Sequence, residues 1–580
     1  MSKFRPLILL AVATLSAVIA YGLWSRPSVE KADSDNFSAE RVVRDIEVIS
    51  KKHHSVAHPA ERAEVRDYLV SRLENLGADT VELFEYKNLV GPQNKHVVYT
   101  FDATNILAHF SSPQSESNPA LLLVAHYDSR YSQLMPHRDT VWSYGAADDG
   151  YGVGVILETV RELLERRSEW KQSVKVLFTD AEEVGMMGMK AMWENNREQF
   201  DDVGFMINIE ARGPWGPALL FETSPGNERV MELYSAAAEY PFTYSLTTVV
   251  YSFMPNFTDF TIVKDYIPGM NFSTIADINH YHTDLDNFSN IEPKSIQHYG
   301  SQVVPVAMEY VTNAKYSDID ALRATEDTTN FTVPALGLIN LSAQNYMWLN
   351  IAIFALFIIL FAVEILRGRV DAKAVIITSV KILISALIAL IAGELVALIC
   401  GACADVRFKP FGIMQGIKYD NAMMIISVVI MVLIVTAIYI INRKRAARAA
   451  SGLIRASAHN AAVAKYSANY LYGALLLLFV LSAVLLFALG ENLMFLIPLT
   501  AATAAMILLR TTHLKVWIIA GVALVLLHAF SFLYALSMAL TIGALGAILM
   551  LALCDFAVLL PLSDIYLTTT KKHSSSHLSV

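Results

Sequence analysis

Apolar positions along this chain follow two regimes. Between about residues 30 and 340 they come in short runs broken by charged and turn-forming stretches. From about 346 to 562 they form nearly continuous blocks, most of them roughly the 17–25 residues that cross a bilayer as a helix. Within the first regime, Val42, Val43, Ile46 and Ile49 have helical spacing. The stretch HPAERAEVRDYLVSRLENLGAD predicts a second amphipathic helix, with Gly77 as its C-cap signal. Strands are predicted at Val81–Tyr86, His96–Phe101 and Asn105–Phe110. Ala120–Ala125 is a continuous apolar run, as expected of a strand buried on both faces. Further strands are expected at Ser173–Thr179, Val203–Ile209 and Gly269–Ile275. Helices are expected at Tyr151–Arg166, Met186–Asn196, Glu228–Glu239, Asp259–Lys264 and Ile291–Thr312. This alternation predicts one α/β domain with a largely parallel central sheet flanked by helices.

The second regime predicts an all-α multi-span transmembrane bundle. Spans are placed at about 346–366, 374–402, 421–441, 467–489, 493–509, 516–536 and 538–561. An eighth precedes the α/β domain: Lys3 and Arg5, then about 18 apolar residues. It is read as an uncleaved signal anchor, because the run exceeds the roughly 7–15 residues of a signal-peptide core. A cleaved signal peptide is the alternative. With Lys3 and Arg5 inside, Arg367, Arg369 and Lys373, the 443–465 basic cluster, Arg510 and Lys515, and Lys571 and Lys572 all fall on the same side. That agrees with the positive-inside rule and puts the α/β domain on the exported side. The expected organisation is an anchor at 1–26, the exported domain at 27–345 with a polar linker at its start, seven spans at 346–562, and a cytoplasmic tail at 563–580.

Composition supports the division. The 580 residues are 54% hydrophobic with a mean hydropathy of +0.41, above the roughly 45–50% apolar share of soluble proteins. A net charge of −9 without a basic stripe argues against a nucleic-acid partner. All three cysteines, Cys400, Cys403 and Cys554, lie in or beside spans, so the α/β domain has no disulfide framework. Lys381, Glu394, His528 and Asp555 lie inside spans. Such residues suggest function by default, with anchoring and shielding as the plainer role of the bundle.

The chemistry concentrates in Leu121–Met189, which reads LLLVAHYDSR, then YGAADDGYGVGVILETVREL, then VKVLFTDAEEVGMMGMKAM. His126, Glu182, Glu183 and Glu210 follow apolar strands, where sites gather in α/β sheets. Asp148 precedes a helix, and His282 lies in a later His/Asp-rich loop. Zinc binds imidazole nitrogen and carboxylate oxygen. A metal pair needs a bridging carboxylate and ligands on each side, and His126, Asp148, Glu183, Glu210 and His282 supply that number. Glu182, left free, suits a general base and acid, and Asp128 suits fixing the imidazole tautomer of His126. Asp149 is expected as a helix N-cap, His53, His54 and His58 as loop residues, and His280 as a rival to His282. Arg212 and Tyr281 receive no role.

The segments HYDS, GAADDGYG, DAEEVGMMG, NIEARG and YHTD resemble the signature motifs of the M28 zinc peptidases, in order and with similar spacing. The likeness covers roughly residues 40–315. Joined to a multi-span bundle, the domain is similar to the membrane-bound subgroup of vacuolar membrane proteases and endoplasmic-reticulum metallopeptidases. The resemblance implies a zinc-exopeptidase-like fold and two zinc ions bridged by Asp148. His126 and Glu210 would complete one site, Glu183 and His282 the other, with Glu182 as general base. Glu210 departs mildly from the family, where many members have Asp. The resemblance further implies a peptide or protein substrate and aminopeptidase action. The alternatives are a single-zinc glutaminyl-cyclase-like enzyme and a non-catalytic membrane receptor or scaffold. Sequons at Asn36, Asn256, Asn271, Asn287, Asn330 and Asn340 fit a lumenal domain of a vacuole or endoplasmic reticulum, while the missing cysteines fit a bacterial envelope equally well. Substrate preference and oligomeric state are not legible.

Overall fold

A computed structural model describes residues 4–23, 26–91, 100–114, 118–131, 133–134, 140–252, 256–333, 337–451 and 456–568. The chain divides into two compact units, residues 24–347, and residues 1–23 together with 348–580.

The first unit is an α/β domain. Its strands are β1 (Thr80–Val90), β2 (Thr100–Phe110), β3 (Ala120–His126), the short pair β4 (Gln133–Leu134) and β5 (Thr140–Val141), β6 (Val174–Thr179), β7 (Val203–Ala211), β8 (Trp215–Thr223), β9 (Gly269–Ala276), and the hairpin β10 (Thr328–Val333) and β11 (Gly337–Ser342). Seven strands form the main sheet in the order β1-β2-β6-β3-β7-β9-β8. The central four, β6, β3, β7 and β9, are mutually parallel. Antiparallel β1 and β2 close one edge and antiparallel β8 the other.

Helices α2 (Ala39–Ile49), α3 (Pro59–Leu76), α4 (Gly150–Leu164), α5 (Met187–Asn195), α6 (Glu228–Ala237), α7 (Ser245–Ser252), α8 (Asp259–Val263) and α9 (Pro293–Thr312) flank the sheet. Side-chain alternation divides the core between the two faces. Leu121, Leu123 and Ala125 of β3 pack with α2, α4 and α9, whereas Leu122 and Val124 pack with α5 and α8. A strand covered on both faces must be apolar at every position, hence the unbroken run at Ala120–Ala125.

Three local expectations are revised. Residues 96–99 of the expected His96–Phe101 strand lie outside the described residues, and Thr100 and Phe101 belong to one continuous β2 through Phe110, because no Gly or Pro breaks Asp102–Thr104. The described part of the expected linker is docked: Gln297 of α9 accepts the Glu30 and Ala39 N–H groups, and Phe37 is buried against Gly300, where a Cβ would meet its ring. Of the sequons, Asn271 is fully buried in β9, with Nδ2 donating to Glu222 and Thr258, and Asn330 is buried in β10. Neither is available for glycosylation in the folded domain. β8 and the β10–β11 hairpin were not among the expected strands.

The second unit is helical. It contains α1 (Arg5–Leu23), α10 (Ala343–Leu366), α11 (Ala372–Cys403), α12 (Asp420–Ser451), α13 (Ala456–Leu489), α14 (Leu493–Thr512), α15 (Val516–Leu540) and α16 (Leu545–Leu567). Among the described residues, seven stretches are long and apolar enough to cross a membrane, and the last, Val516–Leu567, is broken by a 3-10 turn at Thr541–Ala544 into α15 and α16. Buried Glu364 is paired with Arg369 and Arg510, each at 2.8 Å. Asp564 is paired with Arg443 at 2.8 Å and accepts from Ser467. A Cβ at Gly393 of α11 would lie 2.6 Å from the Gly546 Cα, so these helices touch backbone to backbone. Arg5 Nη1 donates to the carbonyls of Tyr566, Leu567 and Thr568 at 3.2–3.3 Å, and α1 packs along α15. Cys403 is exposed and Cys554 buried, and among the described residues no His/Cys/Asp/Glu cluster of metal-binding geometry forms in this unit.

Candidate metal centre

The carboxyl ends of the four parallel strands converge on one site. His126 ends β3. Glu182 and Glu183 follow β6, Glu210 is the penultimate residue of β7, and His282 lies in the loop after β9. Asp148 and Asp149 precede α4, and the peptide between them is cis. Two carrying loops pass through left-handed backbone at non-glycine residues, Ala181 (φ 59°) and His282 itself (φ 61°). Such conformations persist where surrounding structure over-determines them, and they concentrate at functional sites.

Asp148 sits between two imidazoles. Its Oδ1 is 3.3 Å from His126 Nε2 and its Oδ2 is 3.3 Å from His282 Nε2. Each histidine also faces its own glutamate: His126 Nε2 is 3.7 Å from Glu210 Oε2, and His282 Nε2 is 3.1 Å from Glu183 Oε2. The His126 ring is oriented by Nδ1, which lies 2.9 Å from the Asp128 carbonyl. With Nδ1–H donating there, Nε2 presents its lone pair to the carboxylates.

Two groups of potential ligand atoms fall within 4.8 Å of one another, Asp148–Glu183–His282 and His126–Asp149–Glu210. In the second, Asp149 competes with Asp148 for the role beside His126. Its oxygens are already engaged, accepting from Gly152 N–H at 2.9 Å as the N-cap of α4 and from His126 N–H at 3.3 Å. A Cβ at Gly152 would overlap this carboxylate, so glycine there belongs to the cap. Asp148 Oδ2 and Glu183 Oε1, in contrast, are buried without a hydrogen-bond donor among the described residues.

Burial raises Glu182 well above the usual carboxylate range, with Glu210, Asp259 and Glu183 adding to the effect against His126. Burial likewise lifts Glu210 to about 8, opposed by His126 and reinforced by Asp148 and Asp259. Glu183 goes the other way: burial pushes it up, but His282, Arg130 and His126 together hold it below the ordinary range. His126 is raised because Asp128, Asp148, Glu210 and Glu182 outweigh its burial. Crowded buried carboxylates with orphaned oxygens, facing imidazole nitrogens, are a donor set that divalent cations satisfy. Zinc fits these residues.

The remaining sequence candidates separate cleanly. His280 turns to Asp277 at 2.8 Å. His53 lies against Tyr144 with tilted rings, centroids 4.0 Å apart, and His54 is buried with Nδ1 against the Lys52 carbonyl. Several supporting residues were missed. Asp286 accepts from Ser143 Oγ at 2.8 Å and Ala147 N–H at 2.7 Å, pinning the loop that carries Asp148. Arg130 donates to the Glu183 carbonyl at 2.7 Å and its Oε2 at 3.1 Å. Asn208 donates to Glu210 Oε1 at 3.1 Å, a pairing legible from two-residue spacing along one strand. Asp286 and Arg130 carry no such signal.

Residues 105–307 match peptidase family M28. A vacuolar membrane protease from Candida dubliniensis is 28% identical over 281 residues, which is 47% of this chain and 28% of that protein. A putative endoplasmic reticulum metallopeptidase 1-A from Caenorhabditis elegans is 30% identical over 207 residues, 35% of this chain and 22% of that protein. Endoplasmic reticulum metallopeptidase 1 from Homo sapiens is 29% identical over 224 residues, 37% of this chain and 23% of that protein. The matches thus span less than a third of the length of these relatives. Among solved structures, Porphyromonas gingivalis glutaminyl cyclase aligns with a TM-score of 0.39 and 21% identity, covering 48% of this chain and 100% of that one. A zinc aminopeptidase from Bacillus subtilis aligns with a TM-score of 0.37 and 15% identity, covering 50% of this chain and 100% of that one. The likeness to peptidase family M28 is confined to residues 105–307, and the relatives named above are a vacuolar membrane protease and endoplasmic reticulum metallopeptidases.

Proposed function

We propose that this chain is a membrane-anchored peptidase that uses two zinc ions and removes residues from free peptide N-termini on the exported side of a membrane. The observation that carries the reading is Asp148, whose two oxygens face two different histidines, each with its own glutamate. His126 and Glu210 would hold one ion, His282 and Glu183 the other, and Asp148 would be shared. When bound, zinc supplies Lewis acidity, polarising the scissile carbonyl and acidifying water at neutral pH.

The chain's own groups account for the rest. The Glu182 backbone N–H donates to Asp128 Oδ1 at 2.9 Å next to ligand Glu183, and its carboxyl belongs to neither trio. Glu182 is a buried carboxyl, and a carboxyl there suits a group that takes a proton from the attacking water and returns it to the leaving amine. Asp128 keeps the His126 loop and the Glu182–Glu183 turn in register, accepting from both glutamate N–H groups. The names of the relatives, vacuolar and endoplasmic-reticulum, favour a lumenal active site, in line with the positive flank before α1.

A full ligand set for two ions favours peptidase chemistry over the single-zinc cyclase and over a scaffold. The deciding experiment assays the purified full chain, in detergent, on peptides with free and acetylated N-termini. Chelator-sensitive hydrolysis restricted to free N-termini, restored by zinc, is expected. Pyroglutamate formation from N-terminal Gln without hydrolysis would overturn the reading in favour of the cyclase, and inertness toward both in favour of a scaffold.

A further inference from the structure

We infer that Arg212 and Tyr251 form a receptor, beside the metal centre, for a carboxylate of the substrate. The inference rests on the peptidase reading and names its substrate class.

Strand alternation puts Asn208, Glu210 and Arg212 on one side of the β7 path. Asn208 and Glu210 are committed to the centre. Arg212, just past the strand end, is fixed by its own N–H, which donates to the Thr274 carbonyl at 2.9 Å. The next residue locks the turn: the Gly213 carbonyl accepts from Thr274 Oγ1 at 2.6 Å, and a Cβ at Gly213 would collide with the Ala276 carbonyl. The guanidinium extending from this anchor has Nε and Nη2 shut off from solvent with no hydrogen-bond partner among the described residues. No described carboxylate lies within ion-pair distance of it, although Glu210 is two residues away. Arg130 and Arg62 also bury one nitrogen without a hydrogen-bond partner among the described residues, but each has a carboxylate beside it. Arg130 is paired with Glu183 at 3.1 Å and Arg62 with Asp180 at 3.4 Å.

A second orphan donor is close by. Tyr251 of α7 lays its ring against Phe221, centroids 4.9 Å apart and edge-on, and its hydroxyl is buried with no partner among the described residues. The charges of Glu222, Glu210, Arg212 and Glu182 all act on this hydroxyl, so it shares their electrostatic neighbourhood.

A buried cation without a counter-charge is unfavourable, and removal of one partner of a buried pair is among the most destabilising changes known. Arg212 Nε and Nη2 would be satisfied by an incoming acceptor. That group must accept several hydrogen bonds and carry negative charge. A peptide carbonyl meets the first requirement only. A carboxylate meets both and matches the planar fork of the guanidinium. The ligand is either the α-carboxylate of a short peptide or an acidic side chain near the scissile bond.

The test uses the zinc-loaded full chain in detergent and matched substrates: Leu-Ala against Leu-Ala-amide for the α-carboxylate, Leu-Glu-amide against Leu-Gln-amide and Glu-Ala-amide against Gln-Ala-amide for side chains. In one pair the acid is expected to exceed its neutral partner in kcat/KM by on the order of ten- to a hundredfold, as for a hydrogen bond to a charged group. Arg212→Met should bring that ratio to about one, Arg212→Lys should restore part of it, and Tyr251→Phe should lower it less. The same pairs titrated calorimetrically onto the Glu182→Gln chain give a readout independent of turnover. Hydrolysis without discrimination in any pair overturns the inference and leaves the peptidase reading standing. Discrimination in binding, lost in Arg212→Met, without turnover in the unsubstituted chain upholds the inference and sinks the reading. An equal loss for acid and neutral substrates in Arg212→Met also overturns it, since the arginine would then serve the fold or the reacting carbonyl.

Discussion

Asp128 Oδ1 accepts the backbone N–H of Glu182 at 2.9 Å, tying the end of one strand to the turn after its neighbour. The other oxygen accepts from Glu183 at 3.3 Å, and Oδ1 is 3.5 Å from His126 Nδ1. One buried carboxylate therefore sets the relative position of a candidate ligand, a second ligand and the proposed base. Asp128→Asn can keep only one of the two backbone bonds as acceptor. We expect zinc affinity or turnover to fall about 10–100-fold, the usual consequence of altering a group that orients ligands. Chelator-competition titration beside steady-state kinetics separates the two, and unchanged values in both would sink the positioning role.

Glu182→Gln removes the proton acceptor while keeping shape and backbone. Turnover should drop by at least on the order of 10²–10⁴, with metal content intact by elemental analysis. Retention of full activity would rule out Glu182 as the general base.

Asp148 is predicted to govern stoichiometry. Asp148→Ala should lose most bound zinc from both positions, because each oxygen faces a different histidine. Glu183→Gln and Glu210→Gln should each weaken one ion and spare the other. Metal-to-protein ratios after dialysis against graded chelator check this, and a ratio of one in the unsubstituted chain would favour the single-zinc alternative.

Acid sensitivity should trace in part to His298. It is buried, its Nδ1 accepts the Ala218 N–H at 2.9 Å, and burial with the nearby Arg26 charge lowers its pKa to about 3. The unfolded chain binds this proton near pH 6.5 and the folded chain does not. Stability is therefore fully present above pH 6.5 and declines as pH falls toward 3, by roughly 2 kcal/mol between pH 6.5 and 5. His298→Gln should flatten that part of the curve in thermal unfolding measured from pH 5 to 8. An unchanged slope would show that His298 does not carry it.

The sheet and the metal-type residues were readable because they obey local rules. His126, Glu183 and Glu210 each follow an apolar run long enough to announce a buried strand, and Asp148 and Asp149 precede a glycine-rich helix start. The supporting residues obey no local rule. Asp286 meets the Asp148 loop from 138 residues away, and Tyr251 of α7 lays its ring against Phe221 of β8. Their roles exist only once the chain has folded. The docking of Glu30 and Phe37 on α9 was hidden for the same reason, because polar composition alone does not distinguish a free linker from one held by Gln297.

The grouping of α1 with the C-terminal helices has a consequence for release of the domain. The chain leaves the helical unit after Leu23 and re-enters it at 348, so the α/β domain is an insertion with two covalent tethers. A single proteolytic nick at either junction leaves it attached through the other. Shedding of a soluble form requires both junctions to be cut, and a cut behind α1 alone would leave the domain fastened through α10.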